Sequence, residues 1–253
     1  MTAFRTKRLI ATALSRTVGE MSCFLRPAYG RRVVMYHAVD EPVAGDTNGI
    51  YSISKERLAQ HFSTLAKDNV SPLGSSESAG TRLVSITFDD GYRSFLTAVV
   101  PLAERYGVPV HVFLAREFVL QGNPVYLSES DVVSLAHHQL VTIGVHGNRH
   151  LDLTMLGDDD VRSELSTARH WLQNLIGCEV STLSYPFGRV DQRVARLASG
   201  LGFTEGFTSM YGMHTTSNDP MLIPRIDVWS TDTVGNLKSK LRGAWSILKG
   251  SHA

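Results

Sequence analysis

The chain has 253 residues, 43% of them apolar and 19% charged, which is enough for one large α/β domain with a real core. A formal charge of +1 offers nothing to nucleic acid, so a nucleic-acid partner is not expected. Cys23 and Cys178 lack the number and spacing of a disulfide framework or a zinc–thiolate site, and both read as buried apolar fillers.

Residues 1–30 stand apart as a basic segment, with Arg5, Lys7, Arg8, Arg16 and Arg26 against one acid, Glu20. Leu9, Ile10, Ala13, Leu14, Val18 and Met21 recur at helical spacing. Thr12 and Arg16 interrupt the apolar stretch that a cleaved secretory signal needs, and no segment is apolar for long enough to span a bilayer. An amphipathic helix packed on the domain's own surface is expected, with peripheral contact to an anionic membrane as the second reading. On that view the protein is cytoplasmic or sits on the inner-membrane face, rather than in the periplasm. Residues 31–253 are expected to form a single domain.

From there, short apolar runs alternate with helical patterns. Strands are expected at Arg32–His37, Leu83–Phe88, Val110–Leu114, Val141–Val145, Thr182–Tyr185 and Thr204–Phe207. Helices are expected at Lys55–Asp68, Leu96–Tyr106, Glu129–His137, Asp159–Ile176 and Gln192–Ser199. Asp40–Gly49 and Ser71–Gly80 read as long loops. The alternation argues for a mainly parallel sheet wrapped by helices, and the strand count favours a barrel over an open sheet.

Chemistry-bearing residues gather at the expected strand ends, where parallel α/β folds build their sites. Thr87-Phe88-Asp89-Asp90-Gly91-Tyr92 places two carboxylates after a buried strand, pointing to opposite faces, although Asp-Asp-Gly alone also suits a turn and helix cap. His146-Gly147-Asn148-Arg149-His150 holds two imidazoles four residues apart; with an Asp they make a three-ligand set for a catalytic metal with an open position. Ser184-Tyr185-Pro186-Phe187-Gly188 is a turn able to aim a backbone N–H at an oxyanion, or simply a β-turn. Pro224 to Trp229 reads as a strand with Arg225, Asp227 and Trp229 on one face. Its bland reading is a partly exposed ion pair beside a packed Trp; its functional reading is an Arg that keeps an Asp ionised, an orienting Asp and a Trp wall for a sugar or acetyl methyl. His37 closes the first strand. His61, His137, His138 and His170 lie on expected helices without partners and read as surface residues.

Taken in order, these strings resemble the polysaccharide deacetylases, the NodB-like carbohydrate esterases of family 4, from about Arg32 to Trp229. The resemblance implies a distorted (β/α)7 barrel and one divalent metal, most often zinc, with cobalt or nickel as substitutes. It implies Asp89 as general base, Asp90, His146 and His150 as metal ligands, and the backbone N–H of Phe187 in an oxyanion hole. Tyr92, Tyr185, Pro186 and Trp229 are expected as substrate contacts.

Three departures stand out. Gly147 replaces a Ser or Thr of the family's histidine motif, Ser184 stands where many members have Arg, and no late Leu-x-His motif follows Trp229. The opening Met35-Tyr36-His37-Ala38-Val39 is similar to the branch that deacetylates exopolysaccharide, including poly-N-acetylglucosamine deacetylases, in which the acid histidine comes from the first strand. His37 then becomes the candidate acid, with His214 as the fallback, and Arg225 the replacement for the missing Arg. The expected reaction is hydrolytic N-deacetylation of an amino sugar in a bacterial polysaccharide or its lipid-linked precursor. The competing readings are a related metal hydrolase of a non-sugar amide and an inactive glycan-binding module on the same scaffold.

Overall fold

The structure, a computed structural model, describes residues 29–74 and 82–243. The basic segment expected over residues 1–30 thus lies, except for its last two residues, outside the described residues, as do Cys23 and most of the second long loop.

Strand β1 (Gly30–Tyr36) is followed by a small pair, β2 (Ala38–Val39) and β3 (Ser52–Ile53). Then come β4 (Arg82–Phe88), β5 (Val110–Leu114), β6 (Val141–Val145), β7 (Thr182–Ser184), β8 (Glu205–Phe207) and β9 (Arg225–Asp227). Seven of these form one parallel sheet in the order β8-β7-β6-β5-β4-β1-β9. The seam between its two edges is nearly closed. Ile223, just before β9, donates its N–H to the Gly206 carbonyl at 2.8 Å and accepts from Thr208 N–H at 2.9 Å. The molecule is the distorted (β/α)7 barrel that the resemblance implies.

The surrounding helices are α1 (Lys55–Leu65), α2 (Val100–Tyr106), α3 (Arg116–Leu120), α4 (Glu129–Ala136), α5 (Asp158–Ile176), α6 (Gln192–Gly200) and α7 (Val234–Leu241). Their ends follow local chemistry. Ser54, Ser128, Asp191 and Thr233 cap α1, α4, α6 and α7 through side-chain oxygens, and Gly177 closes α5 in the left-handed region at φ 70°. The single helix expected over Leu96–Tyr106 instead opens with a π-turn at Phe95–Val99. Pro101, near the start of α2, has no N–H to continue an α ladder, and a wider register absorbs the defect.

Alternation along the strands sorts the side chains into two sets. Val34, Tyr36, Ile86, Phe88, Val112 and Leu114 face outward and pack with Leu58, Phe62, Leu165 and Leu172 of the helices in the main core. The inward set is small and partly polar. Val33, Phe113, Phe207 and Ile223 form an apolar plug. Beside it, His111 is held by Thr142 Oγ1 at 2.7 Å and Thr182 Oγ1 at 3.2 Å. Burial drives the His111 imidazole down to about 3, so it is a neutral spacer.

His61, expected at the surface, and Cys178, expected in the core, exchange places. His61 is fully buried, wedged between the Tyr36 hydroxyl at 3.1 Å and the Asp232 carbonyl at 2.9 Å. It shares the buried face of α1 with Leu58, Phe62 and Leu65, and a neutral imidazole with two partners is tolerated there. Cys178 is exposed, in the loop after Gly177, and fills no core.

The barrel interior explains one glycine. A Cβ on Gly144 would lie 2.5 Å from Thr182 Oγ1, 2.7 Å from His111 Nε2 and 2.7 Å from Phe113 Cδ1. Gly144→Ala is expected to cost about 1–3 kcal/mol, the usual range for overpacking. Thermal unfolding measures it, and an unchanged midpoint would show that the interior is looser than this geometry.

Candidate functional site

The C-terminal strand ends converge on one open cavity of about 460 Å³. β4 delivers Asp89 and Asp90, the β6 end delivers His146 and His150, the turn after β7 delivers Phe187, β9 delivers Arg225 and Asp227, and His37 follows β1; all line it.

Neighbouring residues on a strand should diverge, yet Asp89 and Asp90 serve the same space. The reason is backbone conformation. Asp90 has φ 74° and Gly91 φ 77°, so the chain turns sharply and the Asp90 carboxylate swings toward the histidines. His150 (φ 57°) and Phe187 (φ 58°) are also left-handed. Three of the four non-glycine residues with positive φ among the described residues therefore sit in this cavity, the fourth being Asp40. Strain of this kind persists only where the surroundings enforce it.

Enforcement is visible around the histidine loop. His146 N–H donates to the Leu114 carbonyl, and the Arg116 and Glu117 N–H groups at the start of α3 donate to the Gly147 and Asn148 carbonyls. Glu164, on the buried face of α5, accepts from Arg149 N–H at 2.9 Å and from its guanidinium at 2.5 Å. Sequence reasoning missed Glu164. Its signal was an acid spaced three residues after Val161 and next to Leu165 on a stripe that is otherwise apolar.

Asp90, His146 and His150 each offer a ligand atom within 4.8 Å of the other two. His146 Nδ1 lies 2.8 Å from the Ser184 carbonyl, so it carries the proton, and Nε2 turns its lone pair toward Asp90 Oδ1 at 3.3 Å and His150 Nε2 at 3.2 Å. Three acceptor atoms facing one point make a cation-binding donor set, with the histidine tautomer fixed from behind.

Asp89 is organised differently. Arg225 NH1 donates to Oδ1 at 2.8 Å and NH2 to Oδ2 at 2.7 Å, while Ser184 Oγ donates to Oδ2 at 3.1 Å and accepts from Arg225 NH2 at 2.9 Å. Burial alone would raise the Asp89 carboxyl; the Arg225 charge and its two hydrogen bonds outweigh it and hold the group well below the usual carboxylate range. Arg225 crosses the barrel from the last strand to fill the space beside Ser184. Its Nε donates to the Thr208 carbonyl at 2.9 Å.

His37 stands in the cavity with its ring 4.5 Å from that of Tyr51. Its Nδ1 and the Oδ1 of Asp227 are buried and without hydrogen-bond partners among the described residues. His214 is remote. It pairs with Arg31 at the opposite end of β1, so the fallback donor does not reach this cavity.

The expected substrate contacts are placed differently. Tyr185 is fully buried, its hydroxyl donating to the Met221 carbonyl at 3.0 Å. Tyr92 is buried against Tyr126, and Pro186 lies under Gly147. None of the three lines the cavity. Trp229 does not line it either, because β9 stops at Asp227 and the Trp229 N–H is turned aside to Asp232 Oδ2. Its indole N–H instead donates to Asp227 Oδ2 at 2.5 Å, with the buried Lys240 ammonium 4.6 Å over the ring. The polar wall comes from Asp46, Tyr51, Arg189 and Ser209, and the exposed Phe187 ring forms the rim. Loops of mixed composition carry these residues, and their approach to the site leaves no local sequence pattern.

The sequence model of a family described as polysaccharide deacetylase matches residues 76–206. The Bacillus subtilis protein YxkH, whose name places it among polysaccharide deacetylases, is 22% identical over 205 residues, 78% of this chain and 70% of its own length. The Streptococcus pyogenes deacetylase PplD, solved with acetate, superposes with a TM-score of 0.75 at 19% identity, covering 84% of this chain and 98% of that one. IcaB from Ammonifex degensii gives 0.72 at 18% identity, covering 85% and 97%.

The ion pair yields a prediction. Arg225→Met leaves a buried carboxylate unpaired, and the expected loss of stability at neutral pH is about 3–5 kcal/mol. A depressed carboxylate stabilises the fold above its unfolded pKa and loses that contribution as pH falls. The deficit of the variant should therefore be largest at neutral pH and shrink in acid, and the acid limb of its pH–rate profile should move upward. Denaturant unfolding at several pH values measures the first effect. A pH-independent deficit with an unmoved acid limb would contradict the electrostatic role.

Proposed function

Because the chain belongs to the polysaccharide deacetylase family, we propose that it is a divalent-metal-dependent hydrolase removing the acetyl group from an N-acetylated amino sugar of a bacterial polysaccharide or its lipid-linked precursor. The observation that carries this reading is the convergence of Asp90, His146 and His150 beside the ionised Asp89 in one open cavity. An N,N,O donor set with an open side suits zinc, and accepts cobalt or nickel.

A bound metal ion supplies Lewis-acid polarisation of the acetyl carbonyl and acidifies water at the site. The chain's own residues do the rest. Asp89, kept ionised by Arg225, takes the proton of the attacking water. Phe187, whose left-handed backbone presents the turn to the cavity, offers its N–H to the developing oxyanion. An amide nitrogen leaves only when protonated, and His37, which lines the cavity, is assigned as the donor. Asp227, held by the Trp229 indole N–H, lines the same cavity and is the candidate for orienting groups bound there. Acetate and a free amino sugar are the products.

Two experiments test the assignment. Asp89→Asn preserves shape and removes the base, so metal content should survive while acetate release falls at least about 100-fold. A variant within a few-fold of wild type would overturn the role of Asp89. A wild-type protein that binds metal but releases no acetate from N-acetylated oligosaccharides would favour either the non-sugar amide hydrolase or the inactive glycan-binding module.

His37→Ala should bind metal normally and lose most amide turnover, yet lose much less on an activated acetate ester, whose leaving group needs no proton. Equal losses on both substrates would remove His37 from the proton-donor role.

A further inference from the structure

We propose that the opposite end of the barrel carries a binding site for a phosphoryl group, built from Lys67, Arg82, Lys238 and Arg242. The four side chains share a cavity of about 250 Å³ with Thr64 and Asp68. It lies where α1 ends, β4 begins and α7 ends. Strand β4, seven residues long and beginning with Arg82, leads directly to the Asp89–Asp90 pair, so the cavity is roughly 20 Å from the deacetylase centre.

The charge arrangement demands an anion. Four cations face one carboxylate, Asp68. Elsewhere on the surface Arg162, Arg169, Arg189 and Arg193 each hold a carboxylate within 4.0 Å. No such ion pair is formed by Lys67, Arg82, Lys238 or Arg242 among the described residues, and Arg82 Nε is buried without a hydrogen-bond partner. A fifth cation, Arg32, sits just behind, where burial and next the Arg82 charge lower its pKa. An anion in the cavity relieves this crowding of like charge.

Helix ends do not account for it. Two helices finish here, and the negative ends of their dipoles favour some positive charge. Yet their terminal carbonyls are already occupied. The Leu241 carbonyl accepts from Arg32 Nε, that of Lys240 from the Tyr211 hydroxyl at 2.5 Å, and that of Leu65 from Asp68 N–H at 2.8 Å.

A phosphoryl group fits better than a carboxylate. It brings up to two negative charges and several acceptor oxygens, which suits two guanidinium forks and two mobile ammonium groups. Such groups occur on membrane phospholipids and on soluble phosphates alike. Gly30, the first residue of β1, pairs directly with Arg82, so β1 begins beside this cavity.

Thermal shift with inorganic phosphate, against chloride at equal ionic strength, tests the site on the full chain. Phosphate should raise the melting temperature of the wild type, and Arg82→Gln or Lys238→Gln should weaken the response at least about tenfold. Both variants should deacetylate a soluble oligosaccharide as wild type does; should Arg82→Gln fail to fold, Lys238→Gln, on the outer helix, carries the test. Sedimentation with phosphatidylglycerol vesicles, against phosphatidylcholine, identifies the source. Loss of vesicle binding in the variants assigns the site to lipid headgroups, and a lost phosphate response with unchanged vesicle behaviour assigns it to a soluble phosphate. No response beyond chloride, or an equal response in wild type and both variants, overturns the proposal.

Discussion

The buried ion pair between Arg225 and Asp89 is the constraint around which the rest of the molecule is arranged. Removing two charges from water costs several kcal/mol for each, and only near-complete hydrogen bonding offsets it. Here both carboxylate oxygens and all three guanidinium nitrogens are engaged, through Ser184, Thr87, the Thr208 carbonyl and the pair itself. The remaining interior is shaped to allow this. Phe113 lies under the guanidinium at 5.8 Å, and Gly144 leaves room for the neutral His111. A barrel filled wholly with branched aliphatic side chains would have no space for a cation crossing it.

The second organising feature is strained backbone enforced from outside. Asp90, His150 and Phe187 adopt left-handed conformations. The loop between the two histidines is held by Glu164 and the first turn of α3, which lie behind it rather than in the cavity. Asp227 is treated the same way: Trp229, Asp232 and Lys240 form a buried polar group that fixes the end of β9. The cleft is open to solvent while its back wall is rigidly bonded, a division that favours a site organised before anything binds.

Much of this was legible in the sequence. Apolar runs of five to seven residues marked the long strands, and the motif strings at their ends named the residues that line the cavity. Arg225 was traceable because Ser184 left a vacancy that some cation had to fill. The short pieces were not legible: β2 and β3 have two residues each, and α3 and α7 lack the periodic length that separates a helix from a loop. The aromatic residues of the motifs were misplaced for a related reason. Tyr92, Tyr185 and Trp229 stand next to reactive groups in sequence, but alternation and turning bury the two tyrosines and turn the half-buried Trp229 aside to Asp232. The surface that a ligand meets comes from the loop containing Asp46 and Tyr51, whose position depends on tertiary packing alone.

The crossing arginine also has a consequence for the newly made protein. Asp89, Asp90, His146 and His150 all leave the ribosome well before Arg225, because it sits on the last strand of the barrel. A domain that emerges from its N-terminus onward therefore holds an incomplete centre through most of its synthesis. Until the final strand inserts between β1 and the β8 edge, Asp89 lacks its main counter-charge, and burial works toward its protonated form. The ion pair thus forms only together with closure of the ring, and a chain that stalls or is clipped short of residue 225 lacks it altogether.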